Sequence, residues 1–379
     1  MTIITIRPGD TLYSIGKRFG ISVEQLVAAN GIDPHRYLVV GDSLIIPSPE
    51  EKSGPIAING VAYPFIDRTA LQKALPYLTY LSILSYTFEE DGALEAPKGD
   101  EALIKMAREA GVAPIMVLTT VGEEGGFNSR LTAELLRSPA AQEYLARQVK
   151  STLSKKGYHG LTIDFEYIPA EWREAYSAFI EKMKNEIAPR PLFIALAPKT
   201  QAHQKGLLYE GHDHNALGAA ADKAILLTYE WGHTFGPPMA VAPIDQVRRV
   251  ADYALSEIPA DKLLLGLPNY GYDWALPYER GYPARSVGNH EAVAIARKYG
   301  AEIQFDEAAQ APYFRYFDKH GRRHEVWYED ARSYQAKLSL LKEKQLNGAF
   351  IWNLMRFYQP LFTLLGEQFE IVKIPKNTL

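Results

Sequence analysis

His159-Gly160-Leu161-Thr162-Ile163-Asp164-Phe165-Glu166-Tyr167 is the stretch on which both fold and chemistry turn. Its polar and apolar residues alternate. On a strand, side chains two apart leave on the same face, so Thr162, Asp164 and Glu166 share one face and Leu161, Ile163 and Phe165 the other. Carboxylates on an inward face are costly to bury unless they are paired or used. The stretch therefore reads as a strand whose apolar face lies under helices and whose polar face serves a site, with Glu166 nearest its C-terminal end.

Working outward, strand-like runs recur at Asn59–Pro64, Tyr80–Phe88, Ala113–Val121, Gly160–Ile168, Leu192–Lys199, Lys223–Trp231, Leu263–Tyr270 and Gly348–Leu354. Amphipathic stretches separate them, among them Asp100–Ala110, Leu131–Lys156, Ala170–Ala188, Pro243–Ile258 and Asp330–Gln345. Eight alternating units predict a closed (β/α)8 TIM barrel, and the continuous apolar character of most strands fits strands covered on both faces. Residues 272–327 break the rhythm. A helix near Asn289–Tyr299, a strand Pro312–Phe317, a turn Asp318–Gly321 and a strand Arg322–Tyr328 predict a small α+β insertion between strand 7 and helix 7. Such an insertion rises above the C-terminal face of a barrel, where active sites lie.

Residues 1–47 read as a separate βααβ unit. A strand Thr2–Ile6 and a turn Pro8-Gly9-Asp10 lead to helices closed by Gly20 and Gly31, and Ser43–Ile46 forms a second strand. Through Arg7-Pro8-Gly9-Asp10-Thr11-Leu12, Ile15, Arg18-Phe19, Leu26, Asn30 and Gly41-Asp42-Ser43-Leu44 this unit resembles a LysM domain. The resemblance implies a module that binds N-acetylglucosamine chains through Gly9, Asp10, Thr11 and Leu12 on one loop and Gly31, Ile32, Asp33 and Pro34 on another. Residues 48–54 have the composition of an exposed linker, leaving 55–379 to the barrel.

The carboxylate geometry constrains the chemistry further. Glycosidases that use two carboxyls place them on opposite sides of the scissile bond, and side chains from one face of one strand do not easily straddle a sugar. The pair suits a scheme in which one carboxylic acid protonates the leaving oxygen while the substrate's own 2-acetamido carbonyl attacks the anomeric carbon. The strand resembles the DxxDxDxE signature of glycoside hydrolase family 18, with its final Asp at Asp164 and its Glu at Glu166. Leu84-Ser85-Tyr86, Leu227-Thr228-Tyr229-Glu230 and Gly348-Ala349-Phe350-Ile351-Trp352 extend the likeness over residues 55–370. It implies Glu166 as acid/base, Asp164 as orienter of the acetamido group, Tyr229 as a donor to the acetamido oxygen and Trp352 as the floor of the −1 subsite. It also places a non-proline cis peptide at Ser85 and Tyr86, beside the sugar.

The chain departs from the signature at His159 and Thr162, where the family has Asp, and at Glu230, a longer carboxylate than the usual Asp. Thr162 is expected to donate a hydrogen bond to Asp164 and so hold it ionised. The N-terminal LysM unit, Tyr229-Glu230-Trp231 and Tyr209-Glu210-Gly211-His212-Asp213 resemble the spore cortex peptidoglycan N-acetylglucosaminidases of the family, whose members often carry two LysM repeats where this chain has one. The resemblance implies retaining, substrate-assisted hydrolysis of β-1,4 linkages after N-acetylglucosamine in bacterial peptidoglycan. A chitinase and a non-catalytic lectin are the alternatives.

Tyr86, Glu230, Asn269, Tyr270, Tyr272, His212 and Asp213 complete the expected substrate contacts, and Glu123-Glu124-Gly125-Gly126 an expected rim loop. His203, His212, His214 and Asp213 lack the spacing of a zinc motif, so no metal is expected, and no Gly-rich loop precedes a helix, so neither is a nucleotide cofactor. The chain has no cysteine, which excludes disulfides and thiolate chemistry. A net charge of −4 without a basic run leaves no footprint for nucleic acid or an anionic membrane. Residues 1–8 lack a basic n-region and a long apolar run, so no signal peptide is expected within this chain. A monomer associated with the spore or cell wall is the resulting expectation.

Overall fold

Eight parallel strands close on themselves. They are Pro55–Ala62, Tyr80–Phe88, Ala113–Thr119, Gly160–Asp164, Leu192–Leu196, Lys223–Leu226, Leu263–Pro268 and Gly348–Trp352, each paired with its sequence neighbours and the last with the first. The computed structural model describes residues 1–48, 51–121 and 126–375. The expected rim residues Glu123, Glu124 and Gly125 lie outside these, as do Pro49 and Glu50 of the expected linker.

The barrel has two apolar layers. Inside it, Val61, Val117, Phe193, Ile225, Leu264 and Phe350 pack across the axis. Outside, Leu161, Ile163 and Phe165 pack beneath the helices, Phe165 stacking on Tyr176 and Phe179 of the helix Arg173–Ile187. All the barrel strands but the second, Tyr80–Phe88, end earlier than the sequence suggests. The fourth ends at Asp164, in register with Thr119 of the third, because the chain turns through Tyr167 at a positive φ of 54°. Glu166 therefore stands just past the strand. The helical stretch expected over Leu131–Lys156 is two helices, Ser129–Arg137 and Pro139–Lys156, divided at Ser138, whose side chain caps the second helix just before its first-turn proline.

The insertion is a five-stranded antiparallel sheet with the helix Asn289–Tyr299 packed against it. The N-terminal unit has two strands, Thr2–Thr5 and Ser43–Ile46, and two helices, Leu12–Phe19 and Val23–Asn30, each helix opened by a capping box and closed by a left-handed glycine. This unit is docked on the barrel and its insertion. Val39 joins the core of the insertion. The Ile303 N–H donates to the Val40 carbonyl at 3.0 Å and Thr363 Oγ1 to the Ala29 carbonyl at 2.7 Å. Arg332 reaches the Gly41 carbonyl and Thr5 Oγ1. At Gly41, with φ of 85°, a Cβ would stand 1.8 Å from the Ile303 carbonyl oxygen, so only glycine permits this approach.

Candidate active site

Thr162, Asp164 and Glu166 all line one cleft of about 890 Å³ at the C-terminal end of the barrel. Its walls come from the loops after the strands and from the insertion, which supplies Tyr272 and Ser286. Glu166 projects from irregular backbone, and a buried histidine fixes that backbone. His212 Nδ1 accepts from the Ala197 N–H at 3.2 Å, which makes Nε2 the protonated nitrogen; it donates to the Phe165 carbonyl at 3.1 Å. Burial depresses His212 to about 4, so the ring is neutral and the clamp keeps this tautomer.

Burial is the largest influence on the acidity of the two carboxyls, and among the described residues no cation offsets it. Asp164 is pushed up to about 7 by burial alone. Glu166 is pushed well above the usual glutamate range, first by burial and then by the charges of Asp164 and Glu230. Neither Thr162 Oγ1 nor Asp164 Oδ1 has a hydrogen-bond partner. The hydrogen bond expected between Thr162 and Asp164 is therefore absent, and with it the expected means of holding Asp164 ionised.

Tyr229 lies across the cleft with its ring stacked near Trp352, centroids 6.5 Å apart and planes inclined by 19°. Burial and the Asp164 and Glu166 charges raise the Tyr229 phenol well above its ordinary range, so it is a hydrogen-bond donor at all ordinary pH. Glu230, at a positive φ of 68°, accepts from the hydroxyls of Tyr270 and Tyr272; burial still raises its pKa. Asn269 lines the cleft, but its Nδ2 donates to the Asn353 and Arg356 carbonyls, so it braces the loop after the last strand. The Leu84–Ser85 and Trp352–Asn353 peptides are both cis.

Three expected contacts lie elsewhere. Tyr86 is fully buried on the helix side, its hydroxyl donating to Asp100 beside Tyr158 and Lys156; the register shift after Ile83 turns Ser85 into the cleft instead. His212 holds the backbone behind Glu166 and does not line the cleft. Asp213 caps the helix His214–Ala220 and is paired with Arg173 at 2.7 Å. In the N-terminal unit, Leu12 is core, Thr11 caps the first helix and Asp10 accepts from the Arg7 N–H, while Gly9 and Pro34 are exposed. Ile32 and Asp33 border a crevice against the insertion. Among the described residues, no group of three or more His, Asp or Glu side chains is arranged to hold a metal ion.

The sequence reading passed over several cleft residues: Tyr63, Phe127, Tyr167, Tyr209, Phe235 and Arg356. Tyr63 follows the first strand and Tyr167 the fourth, so position just beyond a barrel strand was the available signal. Tyr167 and Phe235 are exposed despite their size and give the cleft apolar ring faces of the kind that stack on a pyranose.

The model of the Glycosyl hydrolases family 18 matches residues 67–356, and that of the LysM domain residues 4–47. The chain is 39% identical over 429 residues to the cortical fragment-lytic enzyme of Bacillus subtilis (strain 168), covering 98% of this chain and 99% of that one. The enzyme of the same name from Bacillus anthracis is 35% identical with the same coverage. Among solved structures, the Bacillus cereus spore cortex-lytic enzyme SleL superposes with a TM-score of 0.93 at 32% identity, covering 99% of both chains. A chitinase from Chromobacterium violaceum shares the fold, with a TM-score of 0.76 at 23% identity.

Proposed function

The chain belongs to glycosyl hydrolase family 18, and on that premise we propose that it hydrolyses the β-1,4 linkage after N-acetylglucosamine in spore cortex peptidoglycan, with retention and with the substrate's acetamido group as nucleophile. The observation that carries this reading is the pair Asp164 and Glu166, half-buried in one cleft, with burial pushing both carboxyls up.

Glu166, whose protonated form is favoured first by burial and then by the charges of Asp164 and Glu230, donates its proton to the glycosidic oxygen. As that C–O bond breaks, the acetamido carbonyl oxygen bonds to the anomeric carbon from the opposite face. Asp164 accepts the acetamido N–H, which becomes more acidic as the carbonyl gives up electron density. Tyr229 donates to the acetamido oxygen and Trp352 supports the sugar ring. Water then enters from the face the leaving group vacated and gives its proton to Glu166. The bond to the acetamido oxygen breaks, and two inversions give net retention.

The cortical substrate is supported by the likeness to cortical fragment-lytic enzymes that match the chain almost end to end, and the LysM unit would keep the enzyme on the glycan of the spore wall. Anomer-resolved NMR of the first product tests the mechanism, together with a substrate whose reducing-side neighbour is intact but whose N-acetyl group has been removed. The β-anomer forming first, with no cleavage of the deacetylated substrate, is the expected result. An α-anomer, or equal cleavage of both substrates, would require a water or enzyme nucleophile instead.

A further inference from the structure

A second cavity, of about 210 Å³, separate from the catalytic cleft, lies between the N-terminal unit and the insertion. The unit contributes Ile32, Asp33, Arg36 and Asp42 to it. The facing wall is His290, Ala294 and Arg297 from the insertion helix and Tyr358 from the barrel. None of Gly9, Asp10, Thr11 or Leu12 lines it. We infer that this crevice is a glycan subsite shared between the two modules, taking one N-acetylhexosamine ring of the polymer whose cleavage is proposed above; the inference rests on that reading.

The guanidinium groups at the crevice already have partners in the protein: Arg36 Nε is 3.1 Å from Asp33 Oδ2, and Arg297 Nε donates to the Tyr37 carbonyl. Burial, and then the charge of Asp330, push Asp42 toward its neutral form. Partnered guanidinium groups and a carboxyl disposed to be neutral suit a neutral ligand with many hydroxyls better than an ion. Apolar surface is present beside it in Ile32, Val293 and the Tyr358 ring, against which His290 lies edge-on at 4.7 Å. Polar groups that fix orientation around an apolar patch are the usual make-up of a sugar or small-molecule site. Burial lowers His290 to about 4, so it meets the ligand as a neutral donor and acceptor.

The crevice is held at fixed width. Tyr37 and Arg297 exchange hydrogen bonds, the Tyr37 hydroxyl to the Arg297 carbonyl at 2.8 Å and Arg297 Nε to the Tyr37 carbonyl at 3.0 Å. On the other side, Gly41 abuts the Ile303 backbone and Gly31 abuts Gln359. The insertion that forms one wall of the crevice also supplies Tyr272 and Ser286 to the catalytic cleft. A glycan seated in the crevice is thus held in fixed relation to the cleft, and the two sites act together on one polymer.

The test is sedimentation of the full-length Glu166→Gln enzyme with purified peptidoglycan sacculi, alone and with Ala294→Trp, His290→Ala or Asp33→Ala added. Ala294→Trp fills the crevice from the insertion side, and His290→Ala is the smaller change should the tryptophan variant fail to fold. Insertion-side and Asp33 variants should each raise the half-saturating sacculus concentration about 10²-fold, the lower end of the loss expected when one of two linked sites is removed. Weakening by Asp33→Ala alone would show that the N-terminal unit binds glycan unaided, overturning the shared site while leaving the glycan reading intact. Weakening by neither side would overturn the shared site, and failure of the parent to sediment at all would overturn the peptidoglycan reading itself.

Discussion

Asp164 and Glu166 were legible from alternation alone, because a period of two places them on one face with Thr162. Their protonation was not legible, since it depends on what does not surround them. With burial unopposed, Asp164 sits at about 7, and this fixes the sign of a pH effect. In the proposed mechanism the free enzyme needs Asp164 ionised and Glu166 protonated, so kcat/KM should fall on the acid side as Asp164 takes up its proton, with a limb near pH 7. Bound substrate donates its acetamido N–H to the Asp164 carboxylate and favours the charged form, so the acid limb of kcat lies at lower pH. Coincident limbs, or a kcat/KM that does not fall as pH is lowered from 7 to 5, would count against Asp164 as the acceptor, with the pair read as two coupled steps. His212 belongs to the same scale. His212→Leu leaves the Ala197 N–H and the Phe165 carbonyl buried and unpaired, at about 1–3 kcal/mol each. It should lower kcat at least tenfold with KM little changed, as loss of Glu166 placement does. A rise in KM with kcat unchanged would restore His212 as the substrate contact the sequence suggested.

At the scale of elements, the helices and strands were readable from periodicity, and their ends were not. The strand carrying the acid stops at Asp164 because Tyr167 adopts a left-handed turn, a choice no hydrophobic pattern records. Tyr86 was misplaced for a related reason, a register shift after Ile83 that exchanges the faces of Ser85 and Tyr86. The docking of the N-terminal unit is also an element-scale property, and it carries a titrating group. Burial, and then the charge of Asp330, push Asp42 up to about 7. The folded state therefore binds a proton between about pH 4 and 7 that the unfolded chain has lost, so this site contributes less stability as pH rises through that window. Asp42→Asn should raise Tm at pH 8 and leave it unchanged near pH 4, read by calorimetry; an equal shift at both values would place its effect outside titration. Gly41→Val, which drives a side chain into the Ile303 backbone, should undock the unit. Limited proteolysis should then release it while the barrel stays folded, and an intact, protease-resistant chain would show that the contact yields.

For the whole molecule, eight alternating units predicted a closed barrel because a parallel sheet of that size with helices on its outer face has few other solutions. The arrangement of the two modules was hidden, since it rests on contacts of Thr5 and residues 29–43 with residues 290–363 that no local pattern connects. The loops around the mouth were hidden likewise, and with them the aromatic lining from Tyr63 to Phe235. What the whole molecule does is cut a glycan, and the most direct test is mass spectrometry of products from spore cortex peptidoglycan and from chitin oligomers, each incubated with wild type and with Glu166→Gln. Cortex fragments ending in reducing N-acetylglucosamine, with turnover by the variant down by at least the ~10²–10⁴-fold that general acid catalysis supplies, are the predicted result. Products from chitin alone, or cortex cleavage undiminished in the variant, would contradict the account.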